Sequence, residues 1–205
     1  MEYGKKTENQ DLKNQVDELK SQIQKQIGKS KGNESPIPLL YKNEKFNGII
    51  NYLTNQTSGN IHDNGTIQLT SNSTRSGYMP RNLLNFNDSS YYWANQDNDV
   101  WVCFDFKTKK IKLTHYSIKS NSDPPNNRHL RSWKVEISND GESWRAIDEQ
   151  KDCPTLNGSN FSGTFSVAPN DFSRYVRLYQ TNYTWKTQGY HVRISSIEFY
   201  GYLSK

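Results

Sequence analysis

The sequence has few cysteines and no long hydrophobic run. Only two of its 205 residues are cysteine, and its mean hydropathy is −0.98. No window of about 18 apolar residues exists, which excludes a membrane-spanning helix. Secreted β domains often close their termini with a disulfide, and Cys103 and Cys153 are not placed to do so. We therefore expect two buried or partly buried free thiols in a reducing compartment.

Concentrated charge and a secretory leader are also missing. The net charge is +5, and it is spread along the chain. We interpret the densest basic run, Lys107 to Lys112, as a solvated hairpin between two strands. Because no larger basic stripe accompanies it, nucleic-acid binding is not expected. Residues 1–30 lack the apolar core of a signal peptide, so we expect a cytoplasmic protein. An extracellular location stays open if the sequence is a fragment.

The sequence contains none of the common catalytic or metal-binding motifs. The four histidines, His62, His115, His129 and His191, do not show metal-ligand spacing, and no close cysteine pair supplements them. There is no phosphate-binding loop, dinucleotide-binding turn or G-x-S-x-G elbow. We expect no enzymatic activity, no cofactor and no bound metal.

Residues 8–27 have the pattern of an amphipathic helix. Leu12, Val16, Leu19 and Ile23 follow the alternating spacing of four and three residues that forms a coiled-coil seam. The pattern predicts a helix over residues 1–28 that forms a weak homodimer. Because it covers barely two heptads, a frayed polar helix or the end of a longer coil is the alternative. Residues 29–39, rich in Gly, Asn, Ser and Pro, are predicted to be a linker.

From residue 40 to 205 the pattern changes to short apolar runs separated by turn residues. Strands are predicted at 48–54, 66–71, 100–106, 113–120, 132–138, 143–150, 161–167, 174–180 and 193–201. The segment Asn139-Asp140-Gly141 predicts a tight hairpin. The fold class is all-β, an antiparallel jelly-roll sandwich with no further helix. Its predicted core includes Trp101, Phe104, Trp133, Val135, Trp144, Leu178, Ile197 and Phe199.

Six fragments in order resemble the discoidin family, also called the coagulation factor V/VIII type C domain, which has a galactose-binding-like fold. They are residues 48–53 (GIINYL), 85–88 with 92–94 (NFND and YWA), 101–106 (WVCFDF), 132–141 with Trp144 (SWKVEISNDG), 174–178 (RYVRL) and 194–201 (ISSIEFYG). The resemblance covers about residues 46–202 and implies a non-catalytic binding domain.

The cysteine pattern resembles one variety of this family. Secreted discoidin domains usually carry cysteines at both ends, and this sequence does not. Cys103, Asp152-Cys153-Pro154 and residues 155–158 are similar to the intracellular discoidin domains that accompany BTB-type adaptors. By analogy, this similarity implies a protein-interaction role in the cytosol.

Three loops carry the groups that we expect to bind a ligand, and the family resemblance implies that they lie at one end of the sandwich. Aromatic rings offer apolar faces and arginines offer planar donors. The candidate residues are Arg75, Tyr78 and Met79 in the first loop, Asp123, Asn126, Asn127, Arg128 and His129 in the second, and Tyr183, Trp185 and Tyr190 in the third.

We expect these loops to bind a protein partner, and two alternatives stay open. The first alternative is a glycan, held by Tyr183, Trp185, Asn126 and Arg128. The second is a lipid surface, which needs exposed large apolar residues at the loop tips and a basic collar. It ranks last because only Tyr78, Met79 and Trp185 could serve as those apolar residues. Trp185 and Tyr190 could instead fold back to fill their own loop.

Overall fold

A computed structural model describes residues 13–22, 35–86, 90–94, 99–186 and 189–205. The chain divides into two units, one of residues 1–36 with Lys205 and one of Ile37–Ser204. In the first unit, residues 13–22 are helical, and Val16 and Leu19 are exposed. The other two predicted seam residues, Leu12 and Ile23, lie outside the described residues, so the coiled coil stays a prediction.

The second unit is a sandwich of two antiparallel sheets, which confirms the predicted fold class. The strands are β1 (Ile37–Leu39), β2 (Gln68–Ser71), β3 (Tyr92–Trp93), β4 (Trp101–Asp105), β5 (Ile111–Ser120), β6 (Trp133–Ser138), β7 (Arg145–Gln150), β8 (Ser162–Ser166), β9 (Tyr175–Gln180) and β10 (Arg193–Leu203). One sheet has the order β1-β10-β5-β8, with β3 also paired to β10. The other has the order β2-β4-β9-β6-β7.

The prediction of a strand at 48–54, and of no helix in the domain, is wrong. The segment Ile49–Gln56 is an α-helix that buries Ile49, Ile50 and Leu53 on one face. Gly48 supplies no capping side chain. The carboxylate of Glu198, far away in β10, instead accepts hydrogen bonds from the backbone N–H groups of Gly48, Ile50 and Asn51, at 2.7–3.0 Å. Because this cap comes from a distant strand, no local start signal marks the helix.

The predicted linker, residues 29–39, already contains the first strand. Ile37, Pro38 and Leu39 pair with Leu203, Tyr202 and Gly201 of β10. Pro38 lacks a backbone N–H, but β1 lies at the edge of its sheet, where proline is tolerated. The two prolines that suggested a linker are therefore compatible with an edge strand.

Six of the eight predicted core residues are buried, including Phe104, Trp133 and Phe199. Trp101 and Trp144 are partly buried and lie outside the fully buried core. Trp144 lies 4.1 Å from the guanidinium of Arg177, measured from ring centroid to Cζ. Both tryptophans line a shallow cavity of about 180 Å³ together with Arg177, so they belong to a partly exposed sheet surface.

The remaining local predictions are mixed. The hairpin at Asn139-Asp140-Gly141 is confirmed, because it joins the paired strands β6 and β7 and Gly141 has a φ of +80°. The basic run Lys107 to Lys112 is not a hairpin: β4 and β5, which it connects, belong to different sheets. Both cysteines are free, Cys103 buried and Cys153 half-buried, as expected. Among the described residues, no helix is both long and apolar enough to cross a membrane.

Candidate functional site

Strand pairing places the three candidate loops at the same end of the sandwich. Ser71 at the end of β2 pairs with Val102 near the start of β4. Ser120 at the end of β5 pairs with Ile194 near the start of β10. Gln180 at the end of β9 pairs with Trp133. Within one sheet, Tyr179 of β9 pairs with Trp101 at the start of β4. Between the sheets, the N–H of Arg75 in the first loop donates to the carbonyl of Trp93, which pairs with Arg193 at the start of β10. The connections that follow β2, β5 and β9 therefore leave from one end, which we call the loop end.

The first two loops meet around Trp93, whose side chain is 8% exposed. The guanidinium carbon of Arg193 lies 3.6 Å from the Trp93 ring centroid, and that of Arg75 lies 3.9 Å away. Arg128 is more distant, at 5.9 Å. We call these four residues, with Tyr78, Tyr91 and Asp123, the Trp93 cluster.

Backbone pairing holds the Trp93 cluster together. The N–H of Arg75 donates to the carbonyl of Trp93, and the N–H of Trp93 donates to the carbonyl of Tyr78, at 2.9 and 3.2 Å. The N–H of Arg193 donates to the carbonyl of Arg128, at 3.0 Å. The first loop is thereby attached to β3, and the second loop to the start of β10. The arginines are positioned by strands and not by free loop tips.

Two tyrosines complete the aromatic part of the cluster. The ring centroids of Tyr78 and Tyr91 are 4.7 Å apart, and Tyr78 meets Trp93 edge to face at 5.2 Å. Burial and a hydrogen bond to Tyr78 raise the pKa of Tyr91 to about 12, although the charge of Arg193 acts in the opposite direction. The Tyr91 hydroxyl is therefore protonated at neutral pH, and it can donate or accept a hydrogen bond.

The charges of the cluster are unbalanced. The guanidinium of Arg193 forms an ion pair of 2.6 Å with Asp123, and both side chains are largely buried. Within the described part of the chain, no carboxylate lies within ion-pair distance of Arg75 or Arg128. Arg75 is exposed and Arg128 is half-buried. The cluster therefore presents two unneutralised guanidinium groups to solvent.

Three of the predicted binding residues in the second loop shape the loop. His129 is fully buried, and its Nε2 lies 3.1 Å from the carbonyl oxygen of Asp123 and 3.0 Å from that of Pro124. Asn126 exchanges two hydrogen bonds with Asn157, at 2.7 and 2.8 Å. The Oδ1 of Asn127 accepts the N–H of Arg128. In this second loop, the structure thus gives only Asp123 and Arg128 to the cluster.

The predicted residues of the third loop form contacts of their own. Trp185 lies 5.0 Å from the guanidinium of Arg131, and Tyr183 meets Tyr190 edge to face at 5.4 Å. Trp185 and Tyr190 are half-buried, whereas Tyr183 is 41% exposed. Asn126 and Trp185 have different partners, so the predicted glycan platform of Tyr183, Trp185, Asn126 and Arg128 is not assembled as one contact group.

Met79 contributes to a different concavity. Its side chain is 45% exposed. It lines a cavity of about 260 Å³ together with His62 and Arg81.

Buried polar atoms without a hydrogen-bond partner are concentrated at the loop end. In the described residues they are Trp93 Nε1, Asn121 Oδ1, His129 Nδ1, Gln180 Oε1, Trp185 Nε1, His191 Nδ1 and Arg193 Nε. Buried polar groups in folded proteins usually have a partner, so these atoms are positions where water or a ligand can bind. Their concentration at one end supports that end as the binding site.

Sequence reasoning missed Tyr91, Trp93 and Arg193. Residues 92–94 entered it only as a family fragment, and Arg193 only as the first residue of a strand. Arg193 could have been recognised from the sequence, because it is a basic residue at the start of a strand that borders the third candidate loop. The described residues include no group of three or more His, Cys, Asp or Glu side chains that could hold a metal ion. The site is thus built from aromatic rings and hydrogen-bond donors.

Comparison with solved structures gives domains of the same fold. A CBM32 domain of a family 31 glycoside hydrolase from Clostridium perfringens has a TM-score of 0.56 at 14% identity, covering 68% of this chain and 93% of its own. The C-terminal domain of a chitobiase from Bacteroides fragilis has a TM-score of 0.57 at 14% identity, covering 68% and 96%. A second C. perfringens CBM32 domain, solved in complex with GalNAc-β-1,3-galactose, has a TM-score of 0.54 at 12% identity, covering 67% and 96%.

No curated protein matches the sequence. The model of the F5/8 type C domain family matches residues 68–197. This range includes the Trp93 cluster and nine of the ten strands in whole or in part. Since the match extends over more than half of the chain, the protein belongs to the F5/8 type C domain family.

Proposed function

We propose that this protein is a non-catalytic carbohydrate-binding module that holds a glycan at the loop end. The observation that carries the proposal is the Trp93 cluster, where Arg75, Arg128 and Tyr78 are partly exposed around one buried indole. Guanidinium groups donate several hydrogen bonds in a fixed plane, and sugar hydroxyls accept such bonds. Tyr78 adds an aromatic surface and a hydroxyl, the combination that sugar sites commonly use.

Solved domains of this fold support the same choice. One is in complex with GalNAc-β-1,3-galactose, and another, from C. perfringens NanJ, is in complex with galactose. The sequence alone favours a protein partner and places a glycan second. Because these two domains bind sugars, we place the glycan first and the protein partner second.

A protein partner remains the second candidate, because arginine, tyrosine and tryptophan are the residues most enriched in protein-interface hot spots. It would use the same side chains. A common set of variants therefore tests both functions.

The experiment is a glycan array read beside a pull-down from cell lysate. The double variant Arg75→Ala/Arg128→Ala removes the exposed donors. Arg145→Ala is the matched control, because Arg145 is an exposed arginine on β7 near the opposite end of the sandwich. We expect sugar signals for the wild type and Arg145→Ala and none for the double variant. If no glycan binds on the array, and the wild type captures a protein from lysate that the double variant does not, the ligand is a protein and not a glycan.

A further inference from the structure

The two buried polar atoms of the Trp93 cluster that lack a hydrogen-bond partner are both donors. Trp93 is more than nine-tenths buried, and among the described residues neither its Nε1–H nor the buried Nε–H of Arg193 has a hydrogen-bond partner. Arg75 and Arg128 offer only N–H groups, since a guanidinium has no acceptor. The ligand that completes this site must therefore supply acceptor oxygens.

The cluster also carries uncompensated positive charge. Asp123 is already engaged by Arg193. Neither Arg75 nor Arg128 forms an ion pair in the parts of the chain that the structure describes. Both guanidinium carbons face the same indole ring, at 3.9 and 5.9 Å. Like charges around one ring repel each other, so an anion bound beside them would stabilise the arrangement.

The aromatic ring at the centre is not free to stack on a sugar. Trp93 is 8% exposed, and the guanidinium groups of Arg75 and Arg193 lie within 4 Å of its centroid. Its role is to support and align the arginines through cation–π contacts. A ligand that approaches this side of the loop end meets guanidinium groups before it meets the indole. Recognition here depends on charge and hydrogen bonds more than on aromatic stacking.

We infer that the loop end selects a sugar that carries an anionic group, a carboxylate or a sulfate, which Arg75 and Arg128 bind together. This inference rests on the proposed glycan-binding function and adds the class of sugar. Arginine binds planar carboxylates through two parallel N–H···O bonds, and such charge-assisted bonds are about twice as strong as neutral ones. A neutral sugar would leave both positive charges without a counterpart.

The test compares sugars that differ in the anionic group. Suitable pairs are galactose with galacturonic acid, galactose with galactose 6-sulfate, and lactose with 3′-sialyllactose, each titrated calorimetrically at low salt. Charge-assisted hydrogen bonds make the charged member bind about tenfold tighter or more. The advantage should shrink as NaCl is raised, because salt screens partly exposed charges. Whether the carboxylate or the sulfate gains more identifies the anionic group.

Variants assign the effect to the cluster. Arg75→Ala/Arg128→Ala should abolish the preference for the charged sugar, Arg75→Lys/Arg128→Lys should keep part of it, and Arg145→Ala should leave it unchanged. Unchanged thermal melting of each variant verifies that it is folded. If the Arg75→Ala/Arg128→Ala protein still prefers the charged sugar, the Trp93 cluster does not cause the preference.

The remaining outcomes separate this inference from the proposed function. Equal binding of neutral and charged sugars overturns the anionic selectivity and leaves the glycan-binding function intact. Binding of hexaglutamate with no binding of any sugar overturns both and favours a protein ligand. If neither sugars nor hexaglutamate bind, both proposals are likewise overturned.

Discussion

The indole N–H of Trp133 donates a hydrogen bond of 2.7 Å to the hydroxyl of Tyr116, inside the core. Trp133 belongs to β6 and Tyr116 to β5, so the bond joins the two sheets. Tyr116 in turn donates to Asp148 at 2.5 Å. Burial, followed by the hydrogen bond to Asp148, raises the pKa of Tyr116 well above its usual range. The Tyr116 hydroxyl is therefore protonated at neutral pH, so it accepts the hydrogen bond from Trp133 and donates one to Asp148.

We predict that Tyr116→Phe lowers the free energy of unfolding by about 1–3 kcal/mol, because it leaves the buried indole N–H without an acceptor. Urea unfolding at pH 7 measures the change. Tyr202→Phe, a half-buried tyrosine on β10, is the control and should change stability much less. Equal effects of the two substitutions would show that the bond between the sheets contributes little.

The buried carboxylate of Glu198 makes stability depend on pH. Burial raises its pKa from 4.5 to about 7, although the amide hydrogen bonds from Asn51, Ile50, Phe199 and Gly48 act in the opposite direction. Between these two values the folded protein retains a proton that the unfolded chain releases. The contribution of Glu198 to stability is therefore fully present below pH 4.5 and is lost as the pH rises through 7.

Glu198→Gln cannot ionise and should lack this dependence. The free energy of unfolding of the variant minus that of the wild type should increase between pH 5 and pH 8, because only the wild type loses stability. The slope of this difference should be at most about 1.4 kcal/mol per pH unit. Glu142→Gln, in the exposed hairpin turn, is the control and should run parallel to the wild type. Parallel curves for Glu198→Gln as well would mean that Glu198 ionises alike in the folded and unfolded states.

The same glutamate shows where sequence reasoning stops. Hydrophobic alternation was sufficient for the strands β4 to β10 and for the sandwich, because that signal is local. The helix Ile49–Gln56 was missed because its N-terminal N–H groups are satisfied by Glu198, about 150 positions later in the chain. Likewise, Arg193 and Trp93 are distant in sequence, so no spacing rule could place them in one cluster, whereas Arg75 and Arg128 were found because they lie in loops.

Gly201 occupies a backbone position that other residues cannot adopt without strain. It has a φ of +148° at an irregularity between β10 and β5. A Cβ there would lie 2.0 Å from the carbonyl oxygen of Lys112 and 3.1 Å from the Cα of Leu113. Since both are backbone atoms, the sheet would have to shift. We predict that Gly201→Ala lowers the free energy of unfolding by about 2–4 kcal/mol.

Gly59→Ala is the control that separates the backbone strain of a positive φ from the steric clash of the added Cβ atom. Gly59 also has a positive φ, +77°, but a Cβ would meet no atom within 4 Å. Its substitution should cost only the left-handed backbone penalty, about 1–2 kcal/mol. Urea midpoints of the two variants provide the comparison. A Gly59→Ala protein as unstable as Gly201→Ala would rule out the collision as the main cause.

The two thiols should differ in reactivity. Burial raises the pKa of Cys103 to about 11, so little reactive thiolate is present at pH 8. Cys153 is half-buried. We predict that iodoacetamide alkylates Cys153 first in the native protein and both cysteines at similar rates in urea, as followed by peptide mass spectrometry. Faster native alkylation of Cys103, or a disulfide between the two, would contradict this prediction.

The N-terminal helix is predicted to form a weak dimer through its apolar seam. In the described helical segment, residues 13–22, the seam positions Val16 and Leu19 are 45% and 56% exposed. Burying such side chains against a second copy contributes about 1.5–3 kcal/mol each before the cost of ordering. Val16→Glu/Leu19→Glu should abolish this gain. We expect a concentration-dependent mass in sedimentation equilibrium for the wild type and a monomer for this variant.

The control adds the same charge to the opposite face of the same helix. Asn14→Glu/Ser21→Glu places two carboxylates seven residues apart, outside the seam, where a coiled coil tolerates charge. This variant should sediment as the wild type does, which separates loss of the seam from a general effect of two negative charges. If the wild type is already monomeric at high concentration, the short coil does not associate by itself. If both variants lose the dimer, net charge and not the apolar seam governs association.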